Sequence, residues 1–240
     1  EPFCGGAALF FRLAPPTAVL SDANAELIEC YRTIQTDVEA VIYALSRHRD
    51  RHSEEHFYAV REGWNKPPSP TTSAERAAAF LYLNKTCYNG LWRVNSRGAF
   101  NVPMGRYVNP RILDEDGLRA AARGLATASL EHAPFEHVLG RAQAGDFVYF
   151  DPPYDPVSET ASFTSYTANS FTRRDQERLA LVFRELADRG CAVILSNSDT
   201  PFIRKLYEGF HIDRVHCARA INSKAEARGA VPELIIGNRF

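Results

Sequence analysis

One short stretch combines residue types that could bind a planar amino group. Phe147–Phe150 is a run of aromatic and β-branched residues, which predicts a strand buried on both faces. Asp151 follows directly, and Pro152 and Pro153 then end the strand because neither has a backbone N–H to donate. The Asp151 carboxylate and the Pro152 carbonyl can both accept hydrogen bonds, and Tyr154 adds a flat aromatic face. The corner lies at the carboxyl end of a predicted central strand, where open α/β sheets bind ligands. It would fit a planar group that carries an NH2. The alternative is a strand-end turn with no ligand.

A second stretch has the order of parts of a nucleotide-binding site. Glu1–Phe11 is typical of a strand end, a glycine turn at Gly5 and Gly6, and the first turns of a helix. Thr17–Asp22 predicts a second strand that ends in an acid, about 20 residues after the glycines, placed to accept hydrogen bonds from ribose hydroxyls. Asp22 could instead cap the next helix, a role for which Asn24 competes.

The composition excludes several classes of protein. The chain has 240 residues, 45% of them hydrophobic and 24% charged, and a net charge of −1, as in an ordinary globular protein of one domain or one domain with an insertion. No apolar run approaches the roughly 20 residues needed to span a bilayer, and no secretory signal begins at Glu1. The 5 cysteines are scattered and form no CxxC pair, which argues against a disulfide framework and a zinc site. We therefore expect a cytoplasmic protein that binds no metal.

Helices are predicted between the glycine turn and the middle of the chain. Apolar residues recur at helical spacing over Asn24–Arg47, and a second helix should begin where the proline-rich break Asn65–Ser73 ends. His48, His52 and His56 are four residues apart and could share one helix face, which invites a metal-site interpretation. Because arginine and glutamate alternate with them and no further ligands follow, a solvated helix face is favoured.

The middle of the chain concentrates positive charge. No acidic residue lies between Glu75 and Asp114, and Arg93–Val102 alternates around Ser96–Gly98, which predicts a hairpin. Arginine and asparagine are also the side chains that bind guanine and adenine edges bidentately. The segment is therefore expected to bind a polyanion, the alternative being an irregular basic surface. Its basic residues are Arg76, Lys85, Arg93, Arg97, Arg106 and Arg111.

The remainder alternates between strands and helices, which predicts an α/β sheet. Asp155–Ser170 is rich in serine, threonine and tyrosine and is expected to form a lid over the site. A basic loop at Arg219–Gly229 should separate the last two strands. We predict helices from Asp114 to Thr127, from a cap at Thr172, and at Phe202–Tyr207, and strands at Leu130–Phe135, Cys191–Ser196, His211–Cys217 and Glu233–Gly237.

Three segments occur in an order that resembles the Dam-type (D12, α-class) site-specific DNA adenine-N6 methyltransferases. They are Glu1–Gly6, Tyr88–Tyr107 and Asp151–Tyr154, and the resemblance covers nearly the whole chain, with a highly specific match at Asn-Gly-Leu-Trp-Arg and Phe-Asn-Val-Pro in the second segment. It implies a Rossmann-like S-adenosyl-L-methionine-dependent methyltransferase domain, residues 1–30 and 112–240, with a helical and hairpin DNA-recognition insertion, residues 31–111. The implied substrate is adenine in duplex DNA, flipped out of the helix for transfer to N6. Two biological roles are consistent with the resemblance: protection of DNA from a cognate restriction endonuclease, and methylation without a partner nuclease.

The resemblance also implies roles for individual residues. The target base would bind at Asp151, Pro152, Pro153 and Tyr154. The cofactor would contact Pro2, Phe3, Gly5, Gly6, Asp22, Phe135 and Asp151. DNA would contact Lys85, Tyr88, Asn89, Leu91, Arg93, Asn95, Arg97, Pro103, Arg106 and Tyr107, of which Leu91, Arg93, Pro103 and Tyr107 match base-reading positions of enzymes that methylate GATC.

Two departures from the family pattern bear on activity. Ala7 stands where a further glycine is usual, and the family's aromatic-x-Gly-Gly-Lys segment, which precedes the first strand, is not found before Glu1 or after Glu233. The chain is therefore expected to be either a truncated or processed form of a longer protein or an impaired protein. The alternatives are a catalytically impaired DNA-binding module, or an amino-methyltransferase acting on another nucleic acid or on an amide.

Overall fold

The protein is a mixed α/β structure in which a helical segment separates the first strand from the others. The computed structural model describes residues 1–66, 72–157, 171–217 and 231–238. Its helices are α1 (Ala8–Leu13), α2 (Ala25–Asp50), α3 (Glu54–Asn65), α4 (Ser73–Thr86), α5 (Glu115–Leu125), α6 (Arg173–Arg189) and α7 (Pro201–Leu206). Its strands are β1 (Ala18–Asp22), β2 (Ala128–His132), β3 (Phe147–Phe150), β4 (Ala192–Ser198), β5 (His211–Cys217) and β6 (Val231–Gly237).

The strands form two sheets within the described residues. β1 and β2 are parallel, and β3 and β4 are parallel at one edge of a four-stranded sheet of order β3-β4-β6-β5, in which β6 runs antiparallel to both neighbours. Phe150 is paired with Leu195, so the segment that follows β3 lies beside the last residues of β4, Ser196–Ser198. The corner predicted after Phe150 and the polar end of β4 therefore lie at the same sheet edge.

The first residue lies beside β1 rather than in either sheet. Its ammonium group donates to the Val19 carbonyl at 2.9 Å, and the Ser21 amide donates to the Glu1 carbonyl at 2.9 Å, which is parallel ladder geometry. A cavity of about 330 Å³ extends from here between β1 and β3. Glu1 therefore lies between β1 and β3, and the glycine turn follows it in the chain.

The long helix α2 connects β1 to the helical segment. Asn24 caps it, accepting hydrogen bonds from the amides of Glu26 and Leu27, and Asp37 (φ −150°, ψ 63°) interrupts its helical geometry. Its buried face packs against α4 and α5, and Arg76 of α4 pairs with the Glu26 carboxylate. Because α2 runs through residue 30, the predicted boundary between the catalytic domain and the insertion, at residues 30 and 31, falls inside the first part of this helix.

The prediction of one solvated face for the three spaced histidines is wrong. α2 ends at Asp50, and Ser53 caps α3, so His52 lies in the break between two helices. All three histidine rings gather around Tyr82 of α4, with His52 Nδ1 2.9 Å from the Tyr82 hydroxyl and His48 Nδ1 3.0 Å from His56 Nε2. The Ser53 cap, rather than the four-residue spacing, sets their arrangement.

Other element boundaries also differ from prediction. The strand predicted at Leu130–Phe135 instead spans Ala128–His132, and Phe135 begins a 3-10 turn, because Pro134 has no N–H to extend the ladder. Asp155, predicted to open a lid, is buried at 2% exposure and belongs to the rigid corner. The rest of that lid beyond Val157 and the basic loop at Arg219–Gly229 lie outside the described residues.

Candidate active site

One large cavity brings together the glycine turn, the end of β1 and the corner after β3. Its volume is about 1690 Å³. The cavity lining contains every residue predicted to bind a cofactor or the target base: Pro2, Phe3, Gly5, Gly6, Asp22, Phe135, Asp151, Pro152, Pro153 and Tyr154. Pro2 and Asp151, which are 149 positions apart in the chain, therefore line the same cavity. Sites of single small ligands typically measure about 300–1,000 Å³, so this cavity has room for two ligand groups.

The carboxylate of Asp22 connects the glycine turn to the end of β1. Oδ2 accepts a hydrogen bond from the Gly5 amide at 3.1 Å, and Oδ1 accepts one from the Asn24 amide at 2.9 Å. Tyr31 of α2 donates to the Gly5 carbonyl at 2.8 Å, so Gly5, at φ +44°, is fixed on both sides. Asp22 is not the cap of α2, because that role belongs to Asn24. The acid therefore lies on the cavity wall with lone pairs left over.

Ala7 occupies the position where the resemblance led us to expect a glycine. It adopts the left-handed conformation (φ 49°, ψ 36°) and is 1% exposed. This conformation costs a non-glycine residue about 1–2 kcal/mol, which the packing of its buried methyl group partly offsets. The turn accommodates the extra methyl group without closing off Gly5 and Gly6, which stay exposed.

Three phenylalanines form an aromatic cluster on another wall of the cavity. The rings of Phe3 and Phe135 stack with centroids 5.4 Å apart at 21°, and Phe171 meets both edge-on, at 5.6 and 5.8 Å. The Arg178 guanidinium lies 5.6 Å from the Phe135 centroid. Phe3 therefore covers one face of Phe135, the ring that was predicted to pack on the cofactor adenine.

The Asp151 carboxylate is held by the neighbouring strand. Ser196, which is 3% exposed at the end of β4, donates to Asp151 Oδ1 at 2.6 Å. The Tyr149 hydroxyl lies 3.2 Å from the same serine oxygen. Tyr149 and Asp151 share one face of their strand, since residues two apart do so, and that face looks into the cavity.

A second buried network holds the rest of the corner. Gln176 of α6 donates to the Pro153 carbonyl at 2.8 Å, and its carbonyl oxygen accepts from Asn197 Nδ2 at 3.1 Å. Asn197 Oδ1 in turn accepts from the Asp155 amide at 3.0 Å. Thr200 donates to the Asp155 carboxylate at 2.8 Å, and Asp155 also pairs with Arg173 at 3.3 Å. Within the described residues, no hydrogen bond engages the Pro152 carbonyl, which leaves it able to accept one from a ligand.

The residues of β4 and α6 that support the corner in these two networks were not predicted from the sequence. Ser196 is the last residue of a predicted strand, Asn197 and Thr200 come just after that strand, and Gln176 lies one turn into a predicted helix. Their polar character at the end of a buried strand was the available signal, because carboxyl ends of adjacent parallel strands meet at one sheet edge. The missing step was that β3 and β4 are adjacent.

Burial affects the acid–base behaviour of several cavity residues. It raises the pKa of Tyr154 and of Tyr149 above the ordinary phenol value, so both hydroxyls stay protonated. Burial also raises the pKa of the Glu1 carboxyl, which lines the same cavity. Burial, with the nearby Asp22 charge, raises the pKa of the Cys4 thiol to about 12, so this thiol is not a nucleophile at neutral pH.

The predicted DNA-contacting segment is stabilised by its own backbone. Two hydrogen bonds, Asn95 N to Ala99 O at 2.9 Å and Asn101 N to Arg93 O at 3.2 Å, give the hairpin pairing that was predicted. Asn95 Oδ1 accepts from the amides of Arg97 and Ala99, so its side chain shapes the turn. Arg93 is partly buried and its Nε donates to Asn101 Oδ1 at 2.9 Å.

Most of the predicted DNA-contacting side chains are accessible to a large ligand. Tyr88, Leu91 and Tyr107 are 45%, 44% and 44% exposed, which is unusual for side chains of this size. None of the ten predicted residues contributes to the described lining of the large cavity. The segment is therefore a separate surface. Its other exposed members are Lys85, Asn89, Arg97, Pro103 and Arg106.

The described residues show neither a metal-binding cluster nor a membrane-spanning helix. They contain no group of three or more histidine, cysteine, aspartate or glutamate side chains arranged to hold a metal ion. No helix among them is long and apolar enough to cross a membrane.

The chain is similar in sequence to known DNA methyltransferases. The family of D12 class N6 adenine-specific DNA methyltransferases matches residues 1–221. A type II methyltransferase of Lactococcus lactis subsp. cremoris, M1.LlaDCHI, is 43% identical over 241 residues, covering 99% of this chain and 85% of that protein. Type II methyltransferase M.MjaIII of Methanocaldococcus jannaschii is also 43% identical, covering 99% and 87%, and the DNA adenine methylase of Escherichia coli K12 is 36% identical, covering 98% and 84%. With the Asp-Pro-Pro-Tyr corner and the glycine turn on one cavity, the chain belongs to the D12 class N6 adenine-specific DNA methyltransferases.

Proposed function

We propose that this protein transfers a methyl group from S-adenosyl-L-methionine to N6 of adenine in duplex DNA, within GATC, with the base flipped into the corner at Asp151–Tyr154. The observation that carries the proposal is the single cavity of about 1690 Å³ lined by both the glycine turn and that corner. A donor and an acceptor must meet for direct transfer, and a shared cavity permits this. The type II methyltransferase names of two relatives favour a role beside a restriction endonuclease.

The residues around the glycine turn fit the proposed cofactor. Asp22 retains lone pairs to accept from ribose hydroxyls, and the exposed Gly5–Gly6 backbone allows a close approach. The Phe3–Phe135 pair provides an apolar aromatic wall for a base. S-adenosyl-L-methionine, when bound, would supply a methyl group on a positively charged sulfur.

The corner would hold the adenine amino group in line with that methyl group. Asp151 and the Pro152 carbonyl would accept the two N6 hydrogens, and Tyr154 would stack on the flipped base. These bonds favour a pyramidal nitrogen whose lone pair points at the methyl group. Positioning by the corner, rather than acid–base chemistry, would then supply most of the rate increase.

The predicted DNA-contacting segment, from Lys85 to Tyr107, would recognise the DNA. Its arginines, lysine and exposed aromatics suit a phosphate backbone and unstacked bases. The GATC part of the proposal rests on the match of Leu91, Arg93, Pro103 and Tyr107 to base-reading positions. We also propose residues 31–111 as the recognition insertion and residues 1–30 and 112–240 as a Rossmann-like catalytic domain.

The experiment is methylation with labelled S-adenosyl-L-methionine. The duplexes should have equal composition and differ only in whether they contain GATC, and a single-stranded RNA should be included. Label should appear on adenine of the GATC duplex alone. Label on cytosine, on RNA, or equally on a duplex without GATC would contradict the proposed substrate.

Two measurements separate the proposed enzyme from an impaired DNA-binding module. Equilibrium binding of S-adenosyl-L-methionine should be measurable, whereas an impaired module would bind DNA without it. Asp151→Ala should abolish labelling while lowering DNA affinity only several-fold, through the lost adenine contact, since phosphate contacts supply most of the affinity. Asp188→Ala, on the exposed face of α6, is the matched control and should label normally.

A further inference from the structure

The Asp151 side chain is exposed to the cavity but one of its two oxygens is already engaged. Ser196 Oγ lies 2.6 Å from Asp151 Oδ1, which is a short, charge-assisted hydrogen bond. The pairing of Phe150 with Leu195 explains it, because the next residues along the two parallel strands are then neighbours. Ser196 itself is buried, so its hydroxyl is shielded from solvent.

The direction of each hydrogen bond follows from proton counting. An ionised carboxylate can only accept, so the single Ser196 proton points to Asp151 Oδ1. The contact of 3.2 Å between Tyr149 and Ser196 must then be donated by the Tyr149 hydroxyl. Burial raises the Tyr149 pKa, which keeps this donor protonated. The result is a one-way chain from Tyr149 through Ser196 to Asp151. Ser196 Oγ also lies 3.4 Å from the Phe150 carbonyl, a longer contact than the one to Asp151, and Tyr154 hydrogen-bonds the same serine.

We propose that Ser196, supported by Tyr149, is a positioning residue that fixes the Asp151 carboxylate so that Oδ2 meets the substrate amino group. This inference rests on the proposed function. A free aspartate rotates broadly about its terminal torsion, whereas a bond at Oδ1 limits that rotation. The amino group would then meet Oδ2 at a constant angle, and a misplacement of about 1 Å can cost two orders of magnitude in rate.

The first test separates positioning from ordinary stabilisation by kinetics. Ser196→Ala should lower kcat about tenfold while KM for S-adenosyl-L-methionine stays within about twofold and KM for the duplex rises by no more than the several-fold adenine preference. Tyr149→Phe, which keeps the ring, should lower kcat less. The double variant should be no slower than Ser196→Ala, because Tyr149 acts only through Ser196. Ser198→Ala removes a buried hydroxyl two residues along β4 and should leave kcat unchanged.

The second test does not depend on turnover. Binding is measured for two GATC duplexes, one with adenine and one with purine lacking the amino group at the target position. The unaltered protein should prefer adenine several-fold, Ser196→Ala should lose most of this preference, and Ser198→Ala should keep it.

The outcomes distinguish this inference from the proposed function. Normal kcat and a normal adenine preference in Ser196→Ala, with Asp151→Ala inactive, would overturn the role of Ser196 alone. Independent, multiplying losses from Tyr149→Phe and Ser196→Ala would overturn the chain between them. If Asp151→Ala itself kept both the rate and the preference, the proposed function would fail instead.

Discussion

The side-chain amide of Gln176 donates a 2.8 Å hydrogen bond to the carbonyl oxygen of Pro153, across 23 positions of sequence. Gln176 is 2% exposed, and its own carbonyl accepts from Asn197, which is fully buried. The corner therefore does not depend on its two prolines alone. Helix α6 and strand β4 both hold it from behind.

Gln176→Ala should destabilise the protein by about 1–3 kcal/mol, because it leaves a donor of Asn197 buried without an acceptor. Urea unfolding followed by circular dichroism measures this change. Glu177→Ala, at the exposed next position of α6, is the matched control and should stay within about 0.5 kcal/mol. If both variants lost the same free energy of unfolding, the hydrogen bonds of the Gln176 amide would not contribute to stability.

Asp22→Ala should weaken S-adenosyl-L-methionine binding by at least about tenfold, since hydrogen bonds to a charged acceptor contribute about 1.5–3 kcal/mol. The same change frees the Gly5 amide and so loosens the glycine turn. Isothermal titration calorimetry measures the affinity. Asn24→Ala is the control two residues away, and it should cost about 1 kcal/mol of stability through the lost cap while leaving affinity within about twofold. A cofactor affinity that responds to Asn24 and not to Asp22 would refute the assignment.

Sequence patterns predicted where the strands and helices lie along the chain, but they did not predict which strands are adjacent in the sheet. Buried runs and caps located β1, β4, β5 and β6, and Thr172 and Asp114 were correctly placed at helix starts, because these signals are local. The order of strands is a long-range property. Without knowing that β3 and β4 are adjacent, Ser196 could not be connected with Asp151.

The errors have local causes as well. Four-residue spacing suggested one helix through the histidines, but Ser53 begins a new helix and brings them around Tyr82. Phe135 was predicted as the end of a strand, whereas Pro134 prevents the ladder from reaching it. Both cases show a single capping or ring-constrained residue overriding a periodic pattern.

Arg93→Ala should relax base discrimination by about 1–3 kcal/mol, the value of one bidentate arginine–guanine contact. The bond from Arg93 Nε to Asn101 Oδ1 leaves the terminal nitrogens of the guanidinium to make that contact. Competition binding with duplexes altered at each GATC position measures the effect.

Arg97→Ala, at the exposed turn of the hairpin, provides the comparison. It should weaken binding to all duplexes equally and reduce the salt dependence of binding by about one counterion. Loss of discrimination in Arg97→Ala but not in Arg93→Ala would reverse the two assignments.

The histidine cluster should make the protein less stable in acid. Burial first, then the positive charges of His56, Arg47 and Arg51, lower the His48 pKa from 6.5 to about 4, against an opposing effect of Glu75. A depressed histidine pKa means that the unfolded chain binds the proton more readily than the folded one. Stability is therefore complete above pH 6.5 and falls as the pH decreases from 6.5 towards 4, by up to about 1.4 kcal/mol per pH unit for each proton.

Urea unfolding at pH 7.5, 6 and 5 tests this expectation. His48→Gln should flatten the profile between pH 6.5 and 5, leaving smaller contributions from His52 and His56, whose pKa values burial also lowers. His132→Gln, at an exposed position at the end of β2, should keep the profile of the unaltered protein. A profile unchanged by His48→Gln would show that acid lability arises elsewhere, and the packing of His48 against Tyr82 would then be purely steric.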